Sequence, residues 1–213
     1  MVDILTACAH TRDMEAGNRS GYHDLVRERT RILAACAVTT ALLAVMSWVA
    51  LPLPVSPVPV TLQTLGVYLA GGLLGPRWGA VAVVAYLLLG LCGVPVFAGA
   101  EAGPGVFVGP KGGYLVGFLP AAALAGVGVG IVRGRLRGAL ELAGLALVLL
   151  PATVAIYIAG TAWLMVVAGL NVGQAALVGF VPFLPGEALK LAAAVALLRA
   201  LNSRVRRPVT RAS

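Results

Sequence analysis

The sequence predicts an all-α integral membrane protein with six transmembrane helices, and three observations support this prediction. Of the 213 residues, 60% are hydrophobic and only 11% are charged, and the mean hydropathy is +0.95. A soluble domain has about 25% charged residues, so this much apolar surface does not fit inside a water-soluble core. The second observation is a series of six apolar runs. The third is the way in which the arginines are distributed between those runs.

A helix needs about 20 apolar residues to cross the hydrocarbon core of a membrane. The predicted spans are, roughly, residues 31–51, 61–75, 77–92, 112–132, 141–169 and 185–202. The second and third spans are short and are separated by the sequence GPRWG. Short spans interrupted by glycine and proline favour a ligand-binding membrane protein over a simple anchor. The fifth span is long and contains Pro151, which predicts a tilt or a kink.

The arginines predict the orientation of the chain in the membrane. All fourteen lie in the N-terminal tail, the turn between spans two and three, the loop RGRLRG or the C-terminal part from Arg199 onwards. By the positive-inside rule these segments are cytoplasmic, as are both termini. We therefore expect a partly disordered N-terminal tail at 1–30, a membrane domain at 31–202 and a basic C-terminal tail at 203–213. The net charge of +8 then reflects topology, and no nucleic-acid partner is predicted.

No pattern in the sequence indicates catalysis, a metal or a cofactor. Cys8, Cys36 and Cys92 are widely spaced and form no CxxC motif, and His10 and His23 both lie in the N-terminal tail. The spans contain neither an HExxH motif nor a cluster of carboxylates. We therefore predict that the protein is not an enzyme, and that it has no metal and no cofactor.

The first predicted outer loop, at 52–60, is rich in proline and reads PLPVSPVPV. Proline fixes φ and removes backbone donors, so this loop is expected to be stiff and extended. Thr61, Gln63 and Thr64 follow it at the start of span two. The loop is either the wall or lid of a pocket, or a rigid surface loop with a threonine cap.

The second predicted outer loop, at 93–111, is rich in glycine and contains Phe97 and Phe107, with Tyr114 just beyond it. Glycine lets the backbone approach a ligand closely, and the aromatic rings can pack against an apolar ring. The sequence GPKGG places Lys111 at the start of span four, where the helix dipole favours an anion. The alternative is a flexible turn with a solvated lysine.

The third predicted outer loop, at 170–184, leads into PFLPGEALK, where Glu187 and Lys190 lie three residues apart on one face of span six. An unpaired charge deep in a bilayer costs roughly 2.5–3.5 kcal/mol on insertion scales, so a pair that faces the bundle interior is favoured. Either the pair is a structural ion pair, or it faces a polar ligand.

Taken in order, PLPVSPVPVTLQT, LLGPRWGA, YLLLGLCGVPVFAG, GPKGGYLVGF and PFLPGEALK resemble the BioY family, the biotin-binding substrate (S) components of energy-coupling-factor (ECF) transporters. The resemblance extends from about Arg31 to Leu201. It implies a six-helix S-component fold in the bacterial cell membrane, with a vitamin pocket at the outer ends of the helices. It also implies high-affinity capture of biotin and its delivery through an ECF-type ABC transporter.

The resemblance implies roles for particular residues. The acid and the lysine of the PG-acid-x-x-Lys motif contact the ligand in the family, and here they are Glu187 and Lys190. The family usually has Asp at the position of Glu187. Tyr114 and Gln63 border the pocket, and we expect Phe97 to pack on the ligand. Glu187 is expected to bind the ureido group of biotin, and either Lys190 or Lys111 is expected to bind its carboxylate.

The resemblance also implies protein partners. The chain has no Walker A motif, so concentrative uptake requires a transmembrane coupling (T) protein and two cytoplasmic ATPases. In the family the S component docks on the coupling protein through small residues of span one, which here include Ala34, Ala37 and Ala41. Small residues at this spacing also suit packing within one molecule. An S component for a different vitamin and a solitary, low-capacity biotin carrier are the alternatives.

Overall fold

The computed structural model describes residues 26–205, and the side chains of residues 26–201. Residues 1–25 of the predicted N-terminal tail and residues 206–213 of the predicted C-terminal tail therefore lie outside the described residues. Along the described chain the elements are α1 (Val26–Trp48), β1 (Ala50–Leu53), β2 (Ser56–Thr61), α2 (Gln63–Leu91), α3 (Gly105–Val108), α4 (Gly112–Val132), α5 (Ala139–Ala168), α6 (Val172–Gly179), a 3-10 turn (Val181–Phe183) and α7 (Leu184–Val205).

The chain divides into two compact units between residues 35 and 36. In the first unit the described residues are 26–35, which form the start of α1 and carry the exposed side chains of Arg27, Arg29 and Arg31. The second unit begins at Cys36 and contains the rest of α1 and all the other described elements.

Five of the described helical segments are long and apolar enough to cross a membrane, and α6 and α7 count together as one of them. Apolar side chains cover their outer surfaces; Val166 is 76% exposed and Leu189 is 75% exposed. A helix that is apolar on all sides is typical of a membrane span. Pro151 lies within α5, which is helical from Ala139 to Ala168. The prediction of a multi-pass, mainly helical membrane protein is confirmed.

Helix α2 contains both of the short predicted spans and folds back on itself between them. Gly75 has a positive φ of 82° and interrupts the helical geometry, and Pro76 follows it. The side-chain nitrogen of Gln63 (Nε2) lies 2.5 Å from the hydroxyl of Tyr86, although the two residues are 23 positions apart in the sequence. A straight helix would place these residues about 34 Å apart. Residues 63–74 and 76–91 are therefore two antiparallel arms, which are joined where the sequence predicted a division.

The first predicted outer loop forms a β-hairpin, which departs from the all-α expectation. β1 and β2 pair in antiparallel fashion, with Ala50 opposite Thr61 and Leu53 opposite Ser56. The prolines at 52, 54, 57 and 59 lie in or between these strands. A two-stranded sheet tolerates them because each strand has an unpaired edge. The extended conformation that proline predicted is confirmed, and the exclusively helical fold was wrong.

The third predicted outer loop, at 170–184, is also largely structured. Helix α6 begins after Asn171, whose side chain accepts a hydrogen bond from the backbone N–H of Gln174 at 2.9 Å. The side chain of Gln174 accepts in return from the backbone N–H of Asn171 at 3.1 Å. This reciprocal capping box explains why the segment is helical. The prediction of a plain loop here was wrong.

Close backbone contacts around α4 hold the helices together. A Cβ atom added to Gly126 would approach the backbone of Pro76 in α2 to less than 3.0 Å, and one added to Gly128 would lie 2.7 Å from Cβ of Val148 in α5. Small residues thus allow close helix packing at these positions. We call the end of the bundle that carries β1, β2 and the start of α4 the hairpin end. The opposite end, which carries Gly75 and Arg133, is the arginine end.

Candidate ligand-binding site

Two charged side chains are buried near the hairpin end, in the first turns of α7. Glu187 is 4% exposed and Lys190 is 6% exposed. The Lys190 Nζ atom lies 2.6 Å from Glu187 Oε2. Pro185 and Gly186 precede the pair, so Glu187 lies in the first turn of α7, where the helix dipole favours a negative charge. The ion pair predicted from the sequence is present.

Three hydroxyl groups from two other helices surround the Glu187 carboxylate. Tyr68 donates a hydrogen bond to Oε1 at 2.6 Å. Thr64 and Tyr157 donate to Oε2 at 3.2 Å and 3.0 Å. With Lys190, the carboxylate therefore has four partners from α2, α5 and α7. Burial of a charge is tolerated when it is paired and hydrogen-bonded in this way.

A cavity adjoins this cluster. It contains about 530 Å³ of space free of atoms, part of which is open to solvent. Its walls are mainly apolar and aromatic, and polar groups lie at several points along them. The lining residues include Val58, Gln63, Thr64, Phe97, Lys111, Tyr114, Phe118, Ile156, Tyr157, Phe183 and Lys190.

The structure brings five of the six predicted ligand-binding residues to this cavity: Gln63, Phe97, Lys111, Tyr114 and Lys190. Glu187 is not among the lining residues. It lies behind Thr64, Tyr157 and Lys190, which are its own hydrogen-bond and ion-pair partners and which do line the cavity. Glu187 thus orients three cavity-lining groups at once.

Lys111 immediately precedes α4, as the GPKGG sequence predicted. Its Nζ atom lies 2.7 Å from Oε1 of Glu101 and donates to the carbonyl oxygen of Ala98 at 3.2 Å. The side chain of Lys111 is 19% exposed, whereas that of Glu101 is 48% exposed. The two lysines therefore lie in different surroundings, one in a buried cluster and one where the cavity approaches solvent.

Both polar atoms of the Gln63 side-chain amide form hydrogen bonds. The nitrogen donates to Tyr86, and the oxygen accepts from the Thr61 hydroxyl at 2.9 Å. Tyr86 in turn donates to the carbonyl oxygen of Val96 at 2.9 Å. The start of α2 is thereby connected to the glycine-rich loop, and the amide of Gln63 has a defined orientation at the cavity wall.

Aromatic rings form the remaining walls. Phe97 is buried and packs edge-on against Tyr86 and Phe107, each with a centroid separation of 5.5 Å. Tyr114 packs edge-on against Tyr157 at 6.2 Å, and its hydroxyl donates to the carbonyl oxygen of Gly179 at 2.7 Å. These contacts fix the rings in place, as a binding site for a rigid ligand requires.

Tyr68, Tyr157 and Glu101 are site residues that the sequence did not predict, and Thr64 was predicted only as a neighbour of the first outer loop. Thr64 and Tyr68 lie four residues apart, so they share a face of α2, and both bind Glu187. The available signal was a polar residue within an apolar span, since a buried hydroxyl requires a partner. It does not identify that partner, because the contact joins helices far apart in sequence.

The predicted partner-binding residues lie on the surface of α1. Ala37 and Ala41 are exposed, and Val38 between them is 69% exposed. Ala34, which lies in the first unit, is also exposed. Their role remains a prediction.

An aromatic-walled cavity with buried charges, placed at one end of a bundle of apolar helices, defines a small-molecule-binding protein of the membrane. Comparison with known sequences gives the family. The model of the BioY family matches residues 16–207, and the chain belongs to this family. The resemblance inferred from the motifs is confirmed.

Two curated relatives illustrate the similarity. The probable biotin transporter BioY of Pyrococcus horikoshii is 38% identical over 148 residues, which cover 70% of this chain and 83% of the relative. The biotin transporter BioY of Rhizobium etli is 36% identical over 174 residues, which cover 81% of this chain and 90% of the relative. The family is one of transporters, so the prediction that the chain is not an enzyme is confirmed.

A solved structure has the same fold. It is a crystal structure of the S-component for biotin from an ECF-type ABC transporter, with a TM-score of 0.75 and 28% identity. The match covers 83% of this chain and 93% of the solved chain. The predicted multi-pass location in the plasma membrane is supported by these relatives and by the apolar helices.

Proposed function

We propose that the chain binds biotin in the cavity at the hairpin end and serves as the biotin-specific S component of an ECF-type transporter. One observation carries this proposal. The buried Glu187–Lys190 pair adjoins an aromatic-walled cavity, in a chain that belongs to the BioY family. Biotin combines an apolar bicyclic body with a ureido group and a carboxylate, and this cavity offers a counterpart to each.

The two ends of biotin are assigned by the positions of the two lysines. Lys190 lies in the buried cluster, where the compact ureido group meets groups that are already fixed. Lys111 lies where the cavity approaches solvent, and its ammonium group binds the carboxylate at the end of the flexible side chain of biotin. Phe97 and Tyr114 pack on the bicyclic body.

Glu187 accepts a hydrogen bond from the ureido group, although its carboxylate lies behind the residues that line the cavity. Its longest hydrogen bond is the one from Thr64, at 3.2 Å. Exchange of this donor for a ureido N–H keeps the carboxylate saturated while the ligand gains a charge-assisted hydrogen bond. Tyr68, Tyr157 and Lys190 hold the carboxylate in place during the exchange.

The orientation that we propose places the hairpin end outside the cell and the arginine end in the cytoplasm. Arg77, Arg133, Arg135 and Arg137 lie at or near the arginine end, as the positive-inside rule requires of a cytoplasmic face. The two arms of α2 then cross the membrane separately. The chain has six crossings in this arrangement, and both termini are cytoplasmic.

Uptake against a gradient requires partners that supply energy. We propose a transmembrane coupling protein and two ATPase subunits, the arrangement implied by the ECF-type transporter context. The exposed small residues Ala37 and Ala41 allow close approach of a helix from the coupling protein.

The test is calorimetric titration of the purified chain in detergent with biotin, biotin methyl ester, thiamine and riboflavin. We expect one-site binding of biotin and no binding of thiamine or riboflavin. Binding of either of these vitamins in place of biotin would contradict the proposed specificity. The role of the partners is tested by biotin uptake in a host that lacks any coupling module; uptake there equal to that with the module would indicate a solitary carrier.

A further inference from the structure

Lys111 lies at the junction between the cavity and the surface of the hairpin end. It lines the aromatic-walled cavity, and it also lines two shallow surface pockets, one beside Glu101 and the other beside Pro52 and Ser56 of the hairpin. A ligand that enters from the hairpin end therefore passes this ammonium group.

Glu101 neutralises this ammonium group from the surface side. Its Oε1 atom lies 2.7 Å from Lys111 Nζ. Glu101 lines one of the surface pockets and is absent from the residues that line the aromatic-walled cavity. The ammonium thus has a carboxylate on one side and the cavity on the other.

The turn that carries Glu101 is fixed by backbone contacts. The N–H of Phe97 donates to the carbonyl oxygen of Glu101 at 3.0 Å, and the two residues form an isolated β-bridge. Lys111 also donates to Ala98 within this turn. Phe97 and Ala98 line the cavity, so the carboxylate of Glu101 is held at a defined place beside it.

We propose that Glu101 competes with the carboxylate of the ligand for Lys111, and so sets how strongly the protein distinguishes the acid from neutral analogues. An ammonium group has three donors, so the ligand either shares Lys111 with Glu101 or replaces it. In both cases two like charges compete for one cation, and Glu101 weakens binding of the anion. The inference depends on the proposed function, since it requires a ligand with a carboxylate near Lys111.

The experiment compares Glu101→Gln with the unaltered chain, using biotin and biotin methyl ester as ligands in calorimetric titration. Because the pair is partly exposed, we expect Glu101→Gln to bind biotin roughly two- to fivefold more tightly. Affinity for the methyl ester should stay unchanged. Lys111→Gln combined with Glu101→Gln should abolish the gain. Glu141→Gln is the matched control. Glu141 lies on the same helix as Ile156, which lines the cavity, but about 22 Å away from it along α5.

The other outcomes separate the possibilities. Equal changes for biotin and its ester would overturn the inference and make Glu101 a structural residue of the loop. Weaker binding of biotin alone would overturn it as well, because Glu101 would then assist the acid. If the unaltered chain binds the ester and biotin equally and Glu101→Gln changes neither affinity, this inference fails while the proposed biotin function stands. Failure of the unaltered chain to bind either ligand would reject the proposed function itself.

Discussion

The hydroxyl of Tyr68 lies 2.6 Å from Oε1 of Glu187, and this contact joins the first arm of α2 to α7 across 119 residues of sequence. Tyr157 reaches the other carboxylate oxygen from α5, so three helices meet at one side chain. The carboxylate is therefore both a packing element and part of the proposed binding site. These two roles are separable by experiment.

The first prediction concerns the charge of the pair. Glu187→Gln leaves Lys190 buried without a counter-charge, and we expect a loss of about 3–5 kcal/mol in stability together with a loss of biotin binding. The double variant Glu187→Gln/Lys190→Met removes both charges and should recover most of the stability, but no binding. Thermal unfolding in detergent and biotin titration measure the two effects. Glu141→Gln is again the control.

Two results would contradict this prediction. If Glu187→Gln unfolded at the temperature of the unaltered chain, the ion pair would have no structural role. Normal biotin binding by the double variant would remove both residues from the ligand site.

The second prediction concerns the length of the acidic side chain. Glu187→Asp withdraws the carboxylate by about 1.5 Å, which breaks the hydrogen bond from Tyr68. We therefore expect Tyr68→Phe to cost about 1.5–3 kcal/mol in the unaltered chain, but much less in the Asp background. A double-mutant cycle of unfolding free energies measures this coupling.

Tyr86→Phe is the matched control for this cycle, because the Tyr86 hydroxyl binds Gln63 and Val96 rather than Glu187. Its cost should be the same in both backgrounds. Equal costs for Tyr68→Phe in the two backgrounds would show that Tyr68 does not depend on the reach of Glu187.

The third prediction concerns the packing of the two arms of α2. A Cβ atom on Gly79 would lie 2.7 Å from Cα of Gly71, so Gly79→Ala forces the arms apart. We expect a loss of about 1–3 kcal/mol in stability, measured by thermal unfolding. Gly130→Ala is the control, because the added Cβ would meet no atom within 4 Å beyond its own chain neighbours and the nearby backbone of α4. A neutral Gly79→Ala would contradict the close packing of the arms.

The fourth prediction tests the six crossings. Cys92 is exposed just beyond α2, and Val55 at the tip of the hairpin is 62% exposed. If both arms of α2 cross the membrane, Cys92 and a Val55→Cys variant should react with an impermeant maleimide from outside intact cells. Cys8 is replaced by serine in every chain tested, and Cys92 is replaced as well in the chains that carry Val55→Cys or Arg135→Cys.

Arg135→Cys, introduced at the arginine end, is the internal control and should react only after the membrane is made permeable. Labelling of Val55→Cys from outside, with Cys92 reactive only after permeabilisation, would show that α2 crosses once.

The sequence predicted the parts of the structure that depend on local chemistry. Gly75 and Pro76 marked the turn within α2, since Gly75 adopts a positive φ and proline starts a new helical segment. The apolar runs located the main helices, and the closely spaced prolines indicated an extended segment. The spacing of Glu187 and Lys190 predicted their contact, because residues three apart are neighbours on a helix.

The other features depend on the tertiary structure or on the capping of a helix. Asn171 and Gln174 form a capping box, a signal for the start of a helix that the hydropathy of the segment does not carry. The contacts of Thr64, Tyr68 and Tyr157 with Glu187 depend on how α2, α5 and α7 pack. Glu101 reaches Lys111 only because the chain turns at residues 97–101, and nothing in its neighbours in sequence indicates this.

The enclosure of the cavity has a kinetic consequence. Its lining comes from β2, from the glycine-rich loop and from helices α2, α4, α5 and α7, so a ligand seated there is covered on several sides. Such a ligand leaves only after its contacts with these walls have broken. Differences in affinity among related ligands and site variants are therefore expected mainly in the dissociation rate. Residence times should vary from one variant to the next more than the rates of capture do.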